Sequence, residues 1–157
     1  MKKILILIII LGLTVPAFAK AYFAEKEEMI VNADIIAIVD ITDVKNLEKD
    51  KSHGNQEATV STIKNIKGTA DKQFKFFVPC FFPCAITSVE KGQYLVFLKK
   101  GKNGLEGCNW HFSYRPIKDN KAEWYKKDTD FKKGSSVFEM KELEKVINEI
   151  TEILKNK

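Results

Sequence analysis

Ala33-Asp34-Ile35-Ile36-Ala37-Ile38-Val39-Asp40-Ile41 decides how this chain is read. The run is almost wholly apolar and rich in β-branched side chains, which suit a pleated strand. Successive residues of a strand point to opposite faces, so a strand apolar at nearly every position needs cover on both sides. Closure of the sheet into a small barrel would bury one face. A second layer would have to cover the other.

Outward from that run, the chain supplies both. A polar insert at residues 45–56 contains Gly54 and no apolar period, and residues 58–66 then resume strand character until Lys67-Gly68. Residues 73–78 alternate, with Phe74, Phe76 and Val78 on one face, and residues 94–98 form a further short apolar run. The glycine-rich connection at residues 99–107 suits a hairpin into a fifth strand at residues 108–115. That strand is expected to show Cys108, Trp110, Phe112 and Tyr114 on one face, and Asn109, His111, Ser113 and Arg115 on the other. The tail changes period. Leu143, Val146, Ile147, Ile150, Ile153 and Leu154 form one helical stripe, and the spacing predicts an amphipathic helix over about 137–156. Ser136 with Glu139 reads as its capping box, and Lys155 and Lys157 suit its C-terminal end. The expectation is a mainly β chain: a five-stranded barrel of the oligonucleotide/oligosaccharide-binding (OB) type, with the C-terminal helix packed on its outside.

Upstream, Met1-Lys2-Lys3 precedes an apolar run from Ile4 to Leu13, and Ala17-Phe18-Ala19 offers small residues to signal peptidase. Residues 1–19 read as a secretory signal peptide cleaved after Ala19, and residues 20–157 as one exported domain, secreted or periplasmic. The apolar run falls short of the roughly 20 residues a membrane helix needs, so no stable span is expected after cleavage. Formal net charge drops from +5 to +3 when Lys2 and Lys3 leave. The remaining lysines are scattered among acids, and Arg115 is the sole arginine. That pattern describes a solvated surface and argues against nucleic-acid binding.

Three cysteines, Cys80, Cys84 and Cys108, lie in the exported part. An odd number leaves one pair and one free thiol, unless the third joins another chain or a metal.

The order Asn32-Ala33-Asp34-Ile35-Ile36-Ala37-Ile38-Val39, then Val60 onward to Ile66-Lys67-Gly68, then Cys84 with Gly92-Gln93-Tyr94-Leu95-Val96-Phe97, then Cys108, resembles the bacterial branch of the tissue-inhibitor-of-metalloproteinases, or netrin-like, family. The resemblance covers roughly residues 30–115 and rests on apolar and glycine positions that define a fold. It implies the same barrel and a Cys84 to Cys108 disulfide, with Cys80 as the free thiol. Such a bridge would close a loop of some twenty-odd residues and add about 3 kcal/mol. One departure limits the rest of the inheritance. The animal inhibitors begin their mature chain with a cysteine that chelates the protease zinc, whereas here the expected start is Lys20-Ala21-Tyr22-Phe23. The inhibitory mechanism does not transfer with the fold.

Cys80-Phe81-Phe82-Pro83-Cys84 invites further readings. Three intervening residues do not make a thioredoxin-type site, which has two at a helix start. Two thiols with an imidazole, His111 or His53, form a ligand set for copper or another soft metal, so a metal- or thiol-handling protein using Cys80, Cys84 and His111 is the alternative function. Phe81 and Phe82 form an apolar loop tip, which would suit protein docking where exposed and otherwise caps the barrel end. No nucleophile elbow, phosphate-binding glycine loop or zinc-peptidase helix motif is present. The sequence therefore reads as a non-enzymatic binding module without a cofactor, acting on a protein partner such as an envelope peptidase.

Overall fold

A computed structural model describes residues 25–47, 55–79, 88–102, 104–126 and 138–156. Among these, helix α1 (Lys26–Asn32) precedes strands β1 (Ile35–Asn46), β2 (Gln56–Lys67), β3 (Gln73–Val78), β4 (Gly92–Gly101) and β5 (Gly104–Gly107). A 3-10 turn (Trp110–Ser113) leads to β6 (Tyr114–Lys118), β7 (Lys121–Tyr125), β8 (Phe138–Glu142) and helix α2 (Leu143–Lys155).

β1 meets β2 antiparallel, β2 meets β3 antiparallel, β3 meets β5 in parallel, and β5 meets β4 antiparallel. β4 then returns to β1, from Ile35 opposite Leu98 to Ile41 opposite Gly92, and closes the cylinder. The closed order β1-β2-β3-β5-β4 is that of an OB-like barrel, as the alternation of apolar residues predicts.

The two-faced apolar strand finds cover on both sides. Ile35, Ala37, Val39 and Ile41 fill the barrel with Ala58, Val60, Phe76, Val78, Val96 and Leu98. Ile36 and Ile38 face outward and join Leu95, Phe97, Trp124, Met29, Ile30, Val146 and Ile150 in a second core. The stripe of α2 thus packs on the outside of the barrel, and the burial of ten large side chains there offsets the ordering of the chain.

Tight joints explain two glycines. Gly68 sits at φ +67°, and a Cβ there would lie 2.2 Å from the Asp34 carbonyl oxygen, so only glycine ends β2 this close to the start of β1. A Cβ on Gly107 would lie 2.5 Å from the Tyr114 hydroxyl. That hydroxyl accepts from the Gly107 N–H (2.9 Å) and donates to the Phe77 carbonyl (3.2 Å), tying β5, β6 and β3 together at one seam.

Three expectations need correction. The fifth strand expected at 108–115 is mostly not a strand: residues 110–113 form the 3-10 turn, and only Tyr114 and Arg115 belong to β6. The strand that completes the barrel, β5, lies in the stretch expected as a hairpin connection, and β5 and β6 sit end to end along the same edge of β4. The Ser113 hydroxyl accepts from the Asn109 N–H at 2.6 Å, and this local side-chain bond competes with a continuous ladder. The four residues expected on one face part company: Tyr114 enters the barrel core, whereas Phe112 and Cys108 pack in the outer one. On the expected polar face, Ser113 and Arg115 are both buried.

The C-terminal helix starts at Leu143, because residues 138–142 pair with β7 as β8, from Tyr125 opposite Phe138 to Lys121 opposite Glu142. Glu139 therefore lies in a strand and caps nothing, and Ser136 lies outside the described residues. Before β1, where the sequence reading names no element, the chain forms α1, whose Met29 and Ile30 are buried.

Candidate functional site

Two places on the described surface and interior gather groups that the fold alone does not require. The first is a groove of about 390 Å³ at one end of the barrel, lined by Leu47, Asn55, Glu57, Lys75, Phe76 and Phe77. The long β1–β2 hairpin builds one wall. The Leu47 N–H donates to the Asn55 carbonyl at 2.8 Å and holds the two strand ends together, while β3 supplies the floor through Phe76 and Phe77. Leu47 is 44 % exposed and places an apolar side chain at the groove's edge. Beside it Lys75 and Glu57 pair across β2 and β3 at 2.7 Å. Apolar contact area with a charged rim is the composition of a protein-docking surface.

The second is Arg115, whose neighbours come from three elements. The 3-10 turn brings Phe112, β7 brings Tyr125 and β8 brings Phe138; the guanidinium carbon lies 5.4, 5.5 and 3.7 Å from their ring centroids. The side chain is 1 % exposed, and its charged neighbour is Glu123, 3.7 Å from Nη1. Burial lowers the Arg115 pKa to about 10 against the pull of Tyr125 and Glu123, so the group is still a cation at neutral pH. Burial likewise raises the Tyr125 hydroxyl, although Arg115 opposes the change. Nε and Nη2 of Arg115 have no hydrogen-bond acceptor among the described residues. A buried donor left bare costs about 1–3 kcal/mol, and stacking against rings does not replace an acceptor.

A third cluster is structural. The Glu149 carboxylate on α2 accepts from Lys26 on α1, from Lys141 Nζ at 2.7 Å on β8 and from Trp124 Nε1 at 2.9 Å on β7. Burial alone would raise its pKa; the bonds from Lys141, Lys26 and Trp124 outweigh that and hold it below the usual carboxylate range. One carboxylate thereby fastens four elements.

Cys108 is a half-buried free thiol. Burial first, with Asp34 and Glu106 adding to it, pushes its pKa up to about 11, so the thiolate that attacks or binds soft metals is scarce at neutral pH. Its expected partner Cys84, together with Cys80, Phe81, Phe82 and His53, lies outside the described residues. His111 belongs to the 3-10 turn, and its side chain is likewise outside the described part. Among the described residues no group of three His, Cys, Asp or Glu side chains is placed to hold a metal ion. None of their helices is long and apolar enough to cross a membrane.

Neither the groove residues Leu47, Asn55, Glu57 and Lys75 nor the caged Arg115 stood out as sites in the sequence. Leu47 alone in a polar insert, and one arginine in a chain otherwise committed to lysine, were the available signals. Scans against protein-family models and curated proteins return no match to this chain.

Proposed function

We propose that the chain is an exported, non-enzymatic binding module whose barrel end docks a protein partner, an envelope peptidase being the class to test first. The observation that carries this reading is the groove beside Leu47, with an exposed apolar side chain set against an ion pair. Its floor strand, β3, leads along the chain to Phe81 and Phe82, an apolar pair that would extend such a patch where exposed. The resemblance to netrin-like inhibitors supports the same class of function. The missing N-terminal cysteine means that the partner would be engaged by this surface and not through a chelated zinc.

The test is a pull-down from the envelope fraction of the source cell, with residues 20–157 as bait beside the same bait carrying Leu47→Asp. Leu47 lies at the surface, so the substitution should change stability by less than about 0.5 kcal/mol. A partner retained by the native bait and lost at least about tenfold by the variant supports the groove. Equal recovery by both baits, or no specific partner, rejects it.

A further inference from the structure

Three features of Arg115 belong together. Its plane is held by Phe138, Phe112 and Tyr125. Its Nη1 faces Glu123, and its Nε and Nη2 lack an acceptor among the described residues. In a guanidinium, Nε and Nη2 share one edge, and their N–H bonds point the same way at the spacing of the two oxygens of a carboxylate. The orphan donors are therefore not scattered. They form one complete bidentate edge, fixed in orientation and removed from water.

We propose that this edge of Arg115 is a receptor for one small carboxylic acid, bound as its anion and distinct from the barrel-end groove. The choice of anion follows from charge and shape. Glu123 already offsets the guanidinium from the Nη1 side, so a single negative charge is better tolerated than a doubly charged phosphate. Enclosure favours a small planar group that accepts both N–H bonds at once, because the side chain is 1 % exposed. A lysine at this position would offer charge without the paired donors, which gives the lone arginine of a lysine-rich chain a chemical reason. Since the side chain is 1 % exposed, the acid reaches the edge only through a local opening of the layer around Arg115.

The sole arginine also makes the test simple, because arginine labelled with ¹⁵N gives a single Nε–H signal from the full exported chain. The signal is followed during addition of sodium acetate, with sodium chloride as the control. The inference predicts a second, downfield signal that grows to saturation with acetate and not with chloride. It also predicts an acetate-dependent rise in Tm that Arg115→Lys abolishes, with affinity falling at least about tenfold. The labelled native protein needs no substitution, so the outcome does not depend on whether that variant folds. An Nε–H signal indifferent to acetate, or one that chloride moves equally, overturns the proposal. So does a signal that is already downfield without acetate and does not move when acetate is added, because the edge would then already hold an acceptor.

Discussion

The inside of the barrel and the layer outside it share strands yet are built on different principles. Inside, Val39, Val60, Val78, Val96 and their neighbours are aliphatic, with Phe76 stacked on Tyr114 at 5.5 Å. Contacts there follow from alternation, and the hydrogen bonds are mostly those of the ladder. Outside, Trp124, Phe97, Phe112 and Phe138 are joined by a buried guanidinium and a carboxylate with three donors. The barrel is specified by a pattern within each strand. The outer layer is specified by a few polar and aromatic side chains that meet from distant parts of the chain, so single substitutions there should act on several elements at once.

The largest effect expected is for Trp124→Ala, which empties the centre of the outer core and removes a donor to Glu149. It should cost about 4 kcal/mol by urea unfolding. In hydrogen exchange, α1 and α2 should lose protection before β1 and β2 do; uniform loss would mean that the two layers open as one unit. Next is Gly68→Ala, with a Cβ meeting Asp34 backbone at positive φ. It should cost about 2 kcal/mol or more, read by the same unfolding curve, and it strikes the barrel joint while leaving the outer side chains intact.

Glu149→Gln should cost about 1–2 kcal/mol and should also change the pH profile. Because the folded pKa of Glu149 lies below its ordinary value, its contribution is whole above about pH 4.5 and disappears as pH falls through the folded pKa. The urea midpoint of the native chain should therefore fall more steeply in that acid window than the variant's, and parallel curves would show that Glu149 is not the fastening group. Smallest is Met140→Thr on β8. This side chain is 46 % exposed, and the change should stay within about 0.5 kcal/mol by thermal unfolding. A larger cost would mean that the edge of β8 is covered in the working protein.

The same contrast explains what the sequence disclosed. Ile35 to Ile41 announced a strand buried on both faces, and the bounds of β3 coincide with the alternating run at 73–78, because those signals are local. Residues 108–115 misled. Their alternation is as regular as any in the chain, yet a serine hydroxyl and the demands of two cores divided the segment. The start of α2 was also hidden, since Phe138 is drawn into β8 by Tyr125 and Phe112, residues that helical periodicity does not weigh. Arg115 read as a solvent-facing charge because its cage arrives from three separate places. The groove was invisible for a similar reason: Leu47 and Lys75 are neighbours only after the hairpin folds back on β3.

β4 carries both β5 and β6 on a single flank, and with them the start of everything that follows. The C-terminal third is thus no appendage that a shorter ancestor or a trimmed fragment could do without. A chain cut before Tyr114 would keep every barrel strand, lose the hydroxyl that ties β5 to β3, and leave the wall of Ile36, Ile38, Leu95 and Phe97 without the cover of Trp124, Val146 and Ile150. Such a fragment would associate with its own copies through that wall, so the seam between the two layers is no place to split the protein.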